Sequence, residues 1–363
     1  MGACFIGFSL RHFPVLVDHF IMQITGQAQT ENKLLEMAFV PDAIYVPPGK
    51  NHPGGLFDNN LKPIPQAVSR RDRQIWLSKP LANQDIDVGR LPQIQSDKPY
   101  FFIGDVKDHF GHFLLESTSR LWPLLYLPPA FAGQYLYCSK NRSPAVLEKP
   151  FIKEIFACFS LSPQDFVAYQ QPCRIKNVFV AAPAFEIRLQ GRPIFRQSMQ
   201  HVGNTLADSL SEINNTNLTP VYISKSKLAG GVSRIINEVA IEESLRQKGV
   251  DIWHPETVGL AEQIRELTRR KYIMGSVGSA FHTLLCCPGG KVISGITLGE
   301  KLYSSYLIID ELCGNSGKYE SGENVGVSLS NGPGTDKSPR FIKTFYAADP
   351  GRFADTLLRN MGL

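Results

Sequence analysis

From Val221 onward the sequence alternates short apolar runs with amphipathic stretches, and this alternation narrows the possible folds more than any other feature. "VYISK" (221–225), "DIWHP" (251–255), "KYIMGS" (271–276) and "GKVISG" (290–295) read as short buried strands. Between them, "NEVAIEESLRQKG" (237–249) and "GLAEQIRELTRR" (259–270) carry apolar residues at helical spacing, and a further helix is expected over 279–286. Strand–helix–strand order of this kind calls for a parallel sheet covered by helices. An earlier series has the same order: strand 100–104, helix 109–126, strand 134–139, a helical stretch near 144–159 and strand 177–182, then helix-like "PIFRQSMQHVGNTLADSLSEI". The polar "NNTNLTP" (214–220) reads as a linker between the two. The expected organisation is two doubly wound α/β halves, 1–213 and 214–340, followed by a C-terminal helix in 341–363. A length of 363 residues agrees, because a single core rarely grows that large. Residues 1 to about 98 are rich in turn signals, and the Gly/Ser-rich "CGNSGKYESGENVGVSLSNGPGTDKSP" reads as a mobile loop.

Composition excludes several classes. Hydrophobic residues at 43% and charged residues at 20% are ordinary for a soluble globular chain. A net charge of +5 with no run of five or six Lys/Arg gives no nucleic-acid footprint, though it suits a phosphate-bearing ligand. No apolar run reaches bilayer length, and "MGACFIGFSLRHF" lacks a basic leader and a small-residue cleavage site, so a cytoplasmic location, free or peripheral to a membrane, is expected. The seven cysteines form no C-x-x-C pair, which points to reduced thiols and away from structural zinc. Asn214 and Asn217 head N-x-T sequons that matter only in a secreted chain.

The stretch "DVKDHFGHFLLESTSRLWPLL" concentrates polar groups. His109, His112, Glu116 and Arg120 follow at steps of three, four and four, which places them on one stripe of a helix that Asp108 can cap. They lie just beyond the carboxyl end of "PYFFIG", where α/β sheets bind ligands. His112 and Glu116 are spaced for a carboxylate to orient an imidazole, with Arg120 one turn on to keep Glu116 ionised. A solvated helix face is the plainer reading. A metal site of His109, His112 and Glu116 ranks lowest, because the outer pair lie about 10 Å apart along a helix axis.

The second half offers an anion site. In "YIMGSVGSAFHTLLCCPGGKVISG", Gly278 allows close backbone approach, and the amides of Ser279 and Ala280 open a helix. The three-glycine dinucleotide fingerprint is absent. Upstream, "VYISKSKLAGGVSRIINEVAIEESL" ends a strand on Ser224 and Lys225 and brings Lys227 and Arg234 before a helix opening with Asn237 and Glu238. Cations across such a loop can hold a diphosphate without a metal.

Taken in order, the Tyr-Ile-Ser-Lys strand end, the Arg before Ile-Ile-Asn-Glu, "EESLRQKG", "PETVGLAEQI", the glycine-ended strand and "CPGGKVI" resemble the donor half of family 61 glycosyltransferases, of the bacterial capsular-polysaccharide type. "GHFLLESTSRLWPL" is similar to that family's first-domain motif. The resemblance is dense over roughly 100–295. It implies a GT-B-like fold of two Rossmann-like domains facing a cleft. It also implies an inverting, metal-independent transfer of a hexosyl or pentosyl group from a nucleotide-sugar to a glycan hydroxyl in surface polysaccharide synthesis. Residues 1–213 would then be the acceptor side and 214–340 the nucleotide-sugar side. No cofactor beyond the co-substrate is expected, and homo-oligomerisation is left open. Position by position, His112 and Glu116 fall on the catalytic motif, with His109 where the family usually has Asn. Ser224, Lys225, Arg234, Asn237 and Glu238 fall on the donor loop, Gln263 on the helix motif, and Gly278, Ser279 and Ala280 on the turn. Val277 stands where the family has His. Either His282 substitutes from the next turn, or the donor preference differs, or the chain is a transferase-like binding protein without turnover.

Overall fold

The computed structural model describes residues 22–81, 86–127, 133–139, 144–207, 216–299, 301–330 and 341–363. Asp85, which begins the chain's Asp-Ile-Asp at 85–87, Cys4 and Asn214 lie outside these residues. The protein is a mixed α/β structure built on two principal sheets.

The first sheet runs in the order Phe166–Val167, Gln134–Cys138, Tyr100–Asp105, Cys173–Ala181, Met37–Val46 and Gly55–Phe57, with Gln93–Ile94 also beside Cys173–Ala181. The first four strands are mutually parallel, and the two from the turn-rich N-terminal region join antiparallel. Tyr100–Asp105 is apolar up to its last residue because both of its faces are covered. Phe101 and Ile103 pack with Phe113, Ile152 and Phe195, while Tyr100 and Phe102 pack on the other side with Tyr45 and Leu56.

The second sheet is wholly parallel, ordered Asp251–Trp253, Val221–Ile223, Tyr272–Ser276, Val292–Thr297 and Ser316–Ser321. Numbered along the chain this is 2-1-3-4-5, so the winding direction reverses between Val221–Ile223 and Tyr272–Ser276. Loops leaving two adjacent carboxyl ends on opposite faces open a crevice at such a point. Those loops begin at Ser224 and Val277. On one face Tyr222, Met274 and Ile296 pack under Phe353 and Leu357 of the helix Pro350–Met361. On the other, Ile223 and Ile273 belong to a core that continues through Leu284 and Phe195 to Phe113 in the first half. The helix Pro193–Leu206 sits at this junction. Its buried Arg196 donates to the carbonyls of Leu284, Leu285 and Cys287.

Several local expectations are corrected. The helix expected over 109–126 is a single turn Phe110–His112, a π-helical turn Phe113–Ser117 and, after a break, a 3-10 stretch Trp122–Leu125. Hydroxyls compete with the helical ladder there: Ser117 Oγ donates to Asp105, Thr118 Oγ1 to Leu114 and Ser119 Oγ to Glu116 carbonyls. His109, rather than Asp108, occupies the N-cap, without a side-chain cap. Residues Ser279–Cys286 form a 3-10 rather than an α-helix. The Gly-rich loop before Asn237 contains the strand Gly231–Ile235, which pairs with Phe341–Ala347. The segment expected as a mobile loop supplies Ser316–Ser321 to the main sheet and Val327–Leu329 to the smaller one; its residues 331–339 lie outside the described structure. Residues 341–363 thus add a strand as well as a helix to the second sheet's surroundings.

Candidate functional site

His112 Nδ1 lies 2.9 Å from Glu116 Oε2. An ionised carboxylate can only accept, so Nδ1 carries a proton, and in the neutral ring Nε2 is the nitrogen with the lone pair. The π-helical turn retains this i,i+4 contact, but Arg120 does not extend it. Its guanidinium is buried and donates to Ser69 Oγ and to the carbonyls of Gln66 and Val68. Arg71 takes the expected place of Arg120, with Nε on Glu116 Oε1 and Nη2 2.6 Å from Oε2. Burial would raise the Glu116 carboxyl, but the hydrogen bonds from His112 and Arg71 outweigh it and hold the group down at about 2.

The surroundings are charged. Asp105, at the end of the strand Tyr100–Asp105, pairs with Lys107; burial raises its carboxyl nonetheless. Lys107 and Arg71 both stand over the ring of Trp76, at 5.0 and 3.8 Å from its centroid. His109 lies with its ring 5.4 Å from that of His112, and burial together with His112 lowers its basicity.

The turn of the second half abuts this cluster. A Cβ built on Gly111 would lie 2.8 Å from Ser279 Cβ and 3.0 Å from His282 Nδ1, so only glycine lets the two motifs approach this closely. His282 is buried, 5.2 Å ring to ring from Tyr306. Burial, and then the neighbouring His112, push its imidazole down to about 3, so it is neutral near pH 7 and carries no charge toward an anion.

Lys225 lies at the crevice. Its Nζ donates to the Val277 carbonyl at 3.1 Å, and a Cβ on Gly278 would come within 2.6 Å of that Nζ. Burial lowers the amine to about 8 against the opposing pull of Glu238 and Glu256. Val277 thus contributes its carbonyl, whatever its side chain.

Other expected site residues are committed to local structure. Ser224 Oγ donates to Glu242 at 2.7 Å, and Glu238 Oε1 accepts from Tyr222 Oη and the Lys225 amide. Asn237 makes two hydrogen bonds to the backbone of Ala347, and Gln263 donates to the carbonyls of Pro255 and Val258. Arg234 lies on the strand Gly231–Ile235 with its guanidinium 4.8 Å over the Phe341 ring. Ala280 is half-buried in the first turn of the 3-10 helix beside Ser279. A cavity of 490 Å³ lined by Glu320, Asp349, Arg352 and Arg359 contains none of these residues. Among the described residues no His/Cys/Asp/Glu group of three is arranged to hold a metal ion, and no helix is long and apolar enough to cross a membrane.

Sequence reasoning missed Arg71 and Trp76. Their one signal was the "SRRDRQIW" pattern, two short alternating runs about a polar turn.

No curated protein matches the chain. Residues 110–294, just over half of the sequence, match the profile of glycosyltransferase family 61. That span begins one residue before Gly111 and ends within the strand Val292–Thr297, so it holds both the His112–Glu116 pair and the Lys225–Gly278 crevice. The chain belongs to glycosyltransferase family 61 and is a glycosyltransferase.

Proposed function

We infer that the protein transfers a sugar, with inversion, from a nucleotide-sugar to a hydroxyl of a glycan acceptor in surface polysaccharide synthesis, through a GT-B-like arrangement. Residues 1–213 form the acceptor side and 214–340 the donor side, with 341–363 packed on the latter. One observation carries the reading: the paired His112 and Glu116 meet the Ser279 turn across Gly111, beside the crevice that holds Lys225.

Inversion needs a base for the acceptor proton on one face of the sugar and positive potential for the departing diphosphate on the other. His112 Nε2 suits the first task, since Glu116 fixes the ring through Nδ1. Lys225 and the amides of Ser279 and Ala280 suit the second, and no divalent ion is needed in this scheme. Titration calorimetry with a panel of nucleoside diphosphates and nucleotide-sugars tests it. Binding of at least one is expected, and the absence of any at millimolar concentration would overturn the donor assignment.

A further inference from the structure

The hairpin Ser69–Arg71/Gln74–Leu77 lies outside the segment that matches the family, yet it reaches the centre of the candidate site. Alternation along a strand puts Ser69 and Arg71 on one face, about 6.6 Å apart. From that strand Ser69 accepts from Arg120, and Arg71 grips both oxygens of Glu116. The hairpin itself is fixed. The Arg70 amide donates to Glu186 Oε1 at 2.9 Å and the Asp72 amide to the Ile187 carbonyl at 3.1 Å. Its turn places Asp72 and Arg73 at φ of 50° and 69°, the paired left-handed geometry of a tight two-residue hairpin. Arg71 is further held on the Trp76 ring and is only 17% exposed.

We propose that Arg71 is a positioning residue for glycosyl transfer: by clamping Glu116 it holds the His112 ring in one orientation and one tautomer, with Nε2 free toward the acceptor. The proposal rests on His112 as the base. A planar fork is suited to this because it fixes both carboxylate oxygens, where a lysine would fix one point. Glu116 is faced by His112, Arg71 and Asp105, and His112 by Glu116, His109 and His282. Arg71 is the cation whose removal leaves the buried Glu116, among the described residues, with the imidazole as its remaining direct side-chain partner. Removing it raises the proton affinity of Glu116.

The test follows the histidine ring nitrogens of the full-length protein by NMR through a pH titration, for wild type, Arg71→Met and Arg71→Lys, alongside single-turnover rates with whichever nucleotide-sugar the calorimetric panel identifies. In the wild type the neutral His112 should be the Nδ1–H form. In Arg71→Met the titration of the pair should move to higher pH, the ring should populate both tautomers, and the rate should fall about ten- to a hundredfold with donor affinity unchanged. Arg71→Lys should keep the titration near wild type and recover part of the rate. An unchanged His112 titration and tautomer in a folded Arg71→Met protein would overturn the proposal, as would a rate loss explained by unfolding alone. His112→Ala separates the two readings. If it transfers at the wild-type rate, the base assignment fails whatever Arg71 does. If it is inactive while Arg71→Met is fully active, only the positioning role fails.

Discussion

Gly111→Ala would insert one methyl group into the seam between the two halves. The added Cβ would meet Ser279 Cβ at 2.8 Å and His282 Nδ1 at 3.0 Å. Carbon atoms rest at about 3.6 Å, so the seam has to open by roughly 0.8 Å at this point. Neither neighbour can swing away, since Ser279 Cβ is tied directly to its backbone and His282 is buried. Overpacking of this kind costs about 1–3 kcal/mol, offset by up to about 1 kcal/mol from replacing a helical glycine. The melting temperature should therefore fall by only a few degrees in a chain of this size. The rate should suffer more. Displacing His112 by close to 1 Å from the Ser279 turn is expected to cost about a hundredfold in transfer. Lys225 is not among the atoms the new methyl meets, so nucleoside-diphosphate affinity should fall less than the rate. The assay pairs a melting curve with calorimetry and single-turnover transfer. Wild-type rate in a folded Gly111→Ala protein would refute the argument that chemistry takes place across this seam.

His112→Ala should lower transfer by about a hundred- to ten-thousandfold while leaving donor affinity nearly intact; a folded mutant with near wild-type rate would move the base to Glu116 or His109. Nucleoside-diphosphate affinity should be steady below pH 8 and decline as pH rises through about 8, because the protonated Lys225 is the binding form and a bound diphosphate keeps its proton longer than the free site does. Calorimetry at several pH values checks this, and Lys225→Met should remove the dependence. Turnover should survive EDTA, and loss that manganese restores would show that a divalent ion supplies charge this reading gives to Lys225 and the turn amides. Arg196→Leu should destabilise the protein by about 3 kcal/mol in chemical denaturation, because it strands the carbonyls of Leu284, Leu285 and Cys287 in the core; a loss below about 1 kcal/mol would mean those carbonyls find other partners.

The strands were legible because burial on both faces leaves uninterrupted apolar runs. Tyr100–Asp105, Gln134–Cys138, Val221–Ile223, Tyr272–Ser276 and Val292–Thr297 each lie within a residue or two of the expected limits. The contact between His112 and Glu116 was legible for a different reason. A separation of four residues brings side chains together in both α- and π-turns, so it survived the helix being wrong. Arg120 failed because periodicity gives the direction of a side chain only while the helix continues. The turn breaks after Ser117, and a buried arginine finds carbonyls and a hydroxyl wherever they are. Asn237 and Gln263 were visible as motif positions, but sequence cannot show that their amides are spent on Ala347, Pro255 and Val258. The strand Ser316–Ser321 was hidden because glycine and serine read as loop until a neighbouring parallel strand supplies the ladder. Arg71 was hidden most completely, since its partner is forty-five residues away.

The division of labour among the arginines follows from what each side chain meets. Arg196 and Arg120 donate to carbonyls and a hydroxyl, neutral acceptors in the core, and so join segments distant in sequence. Arg71 meets a carboxylate whose other oxygen contact is an imidazole with 43% of its side chain exposed. Its charge therefore reaches an accessible group through one intermediate, where the charge of the other two ends in the core. The same logic applies to Val277. A histidine there would offer a donor to an anion, but the Lys225 amine already sits at that turn, bound to the Val277 carbonyl. The backbone thus holds a cation at the turn itself, while the Val277 side chain faces Gly295, so a valine at 277 does not empty the turn of positive charge. Val277→His then adds a second donor beside Lys225, and it should tighten nucleoside-diphosphate binding if the turn is the diphosphate site. Unchanged or weaker binding in a folded Val277→His protein would place the diphosphate elsewhere.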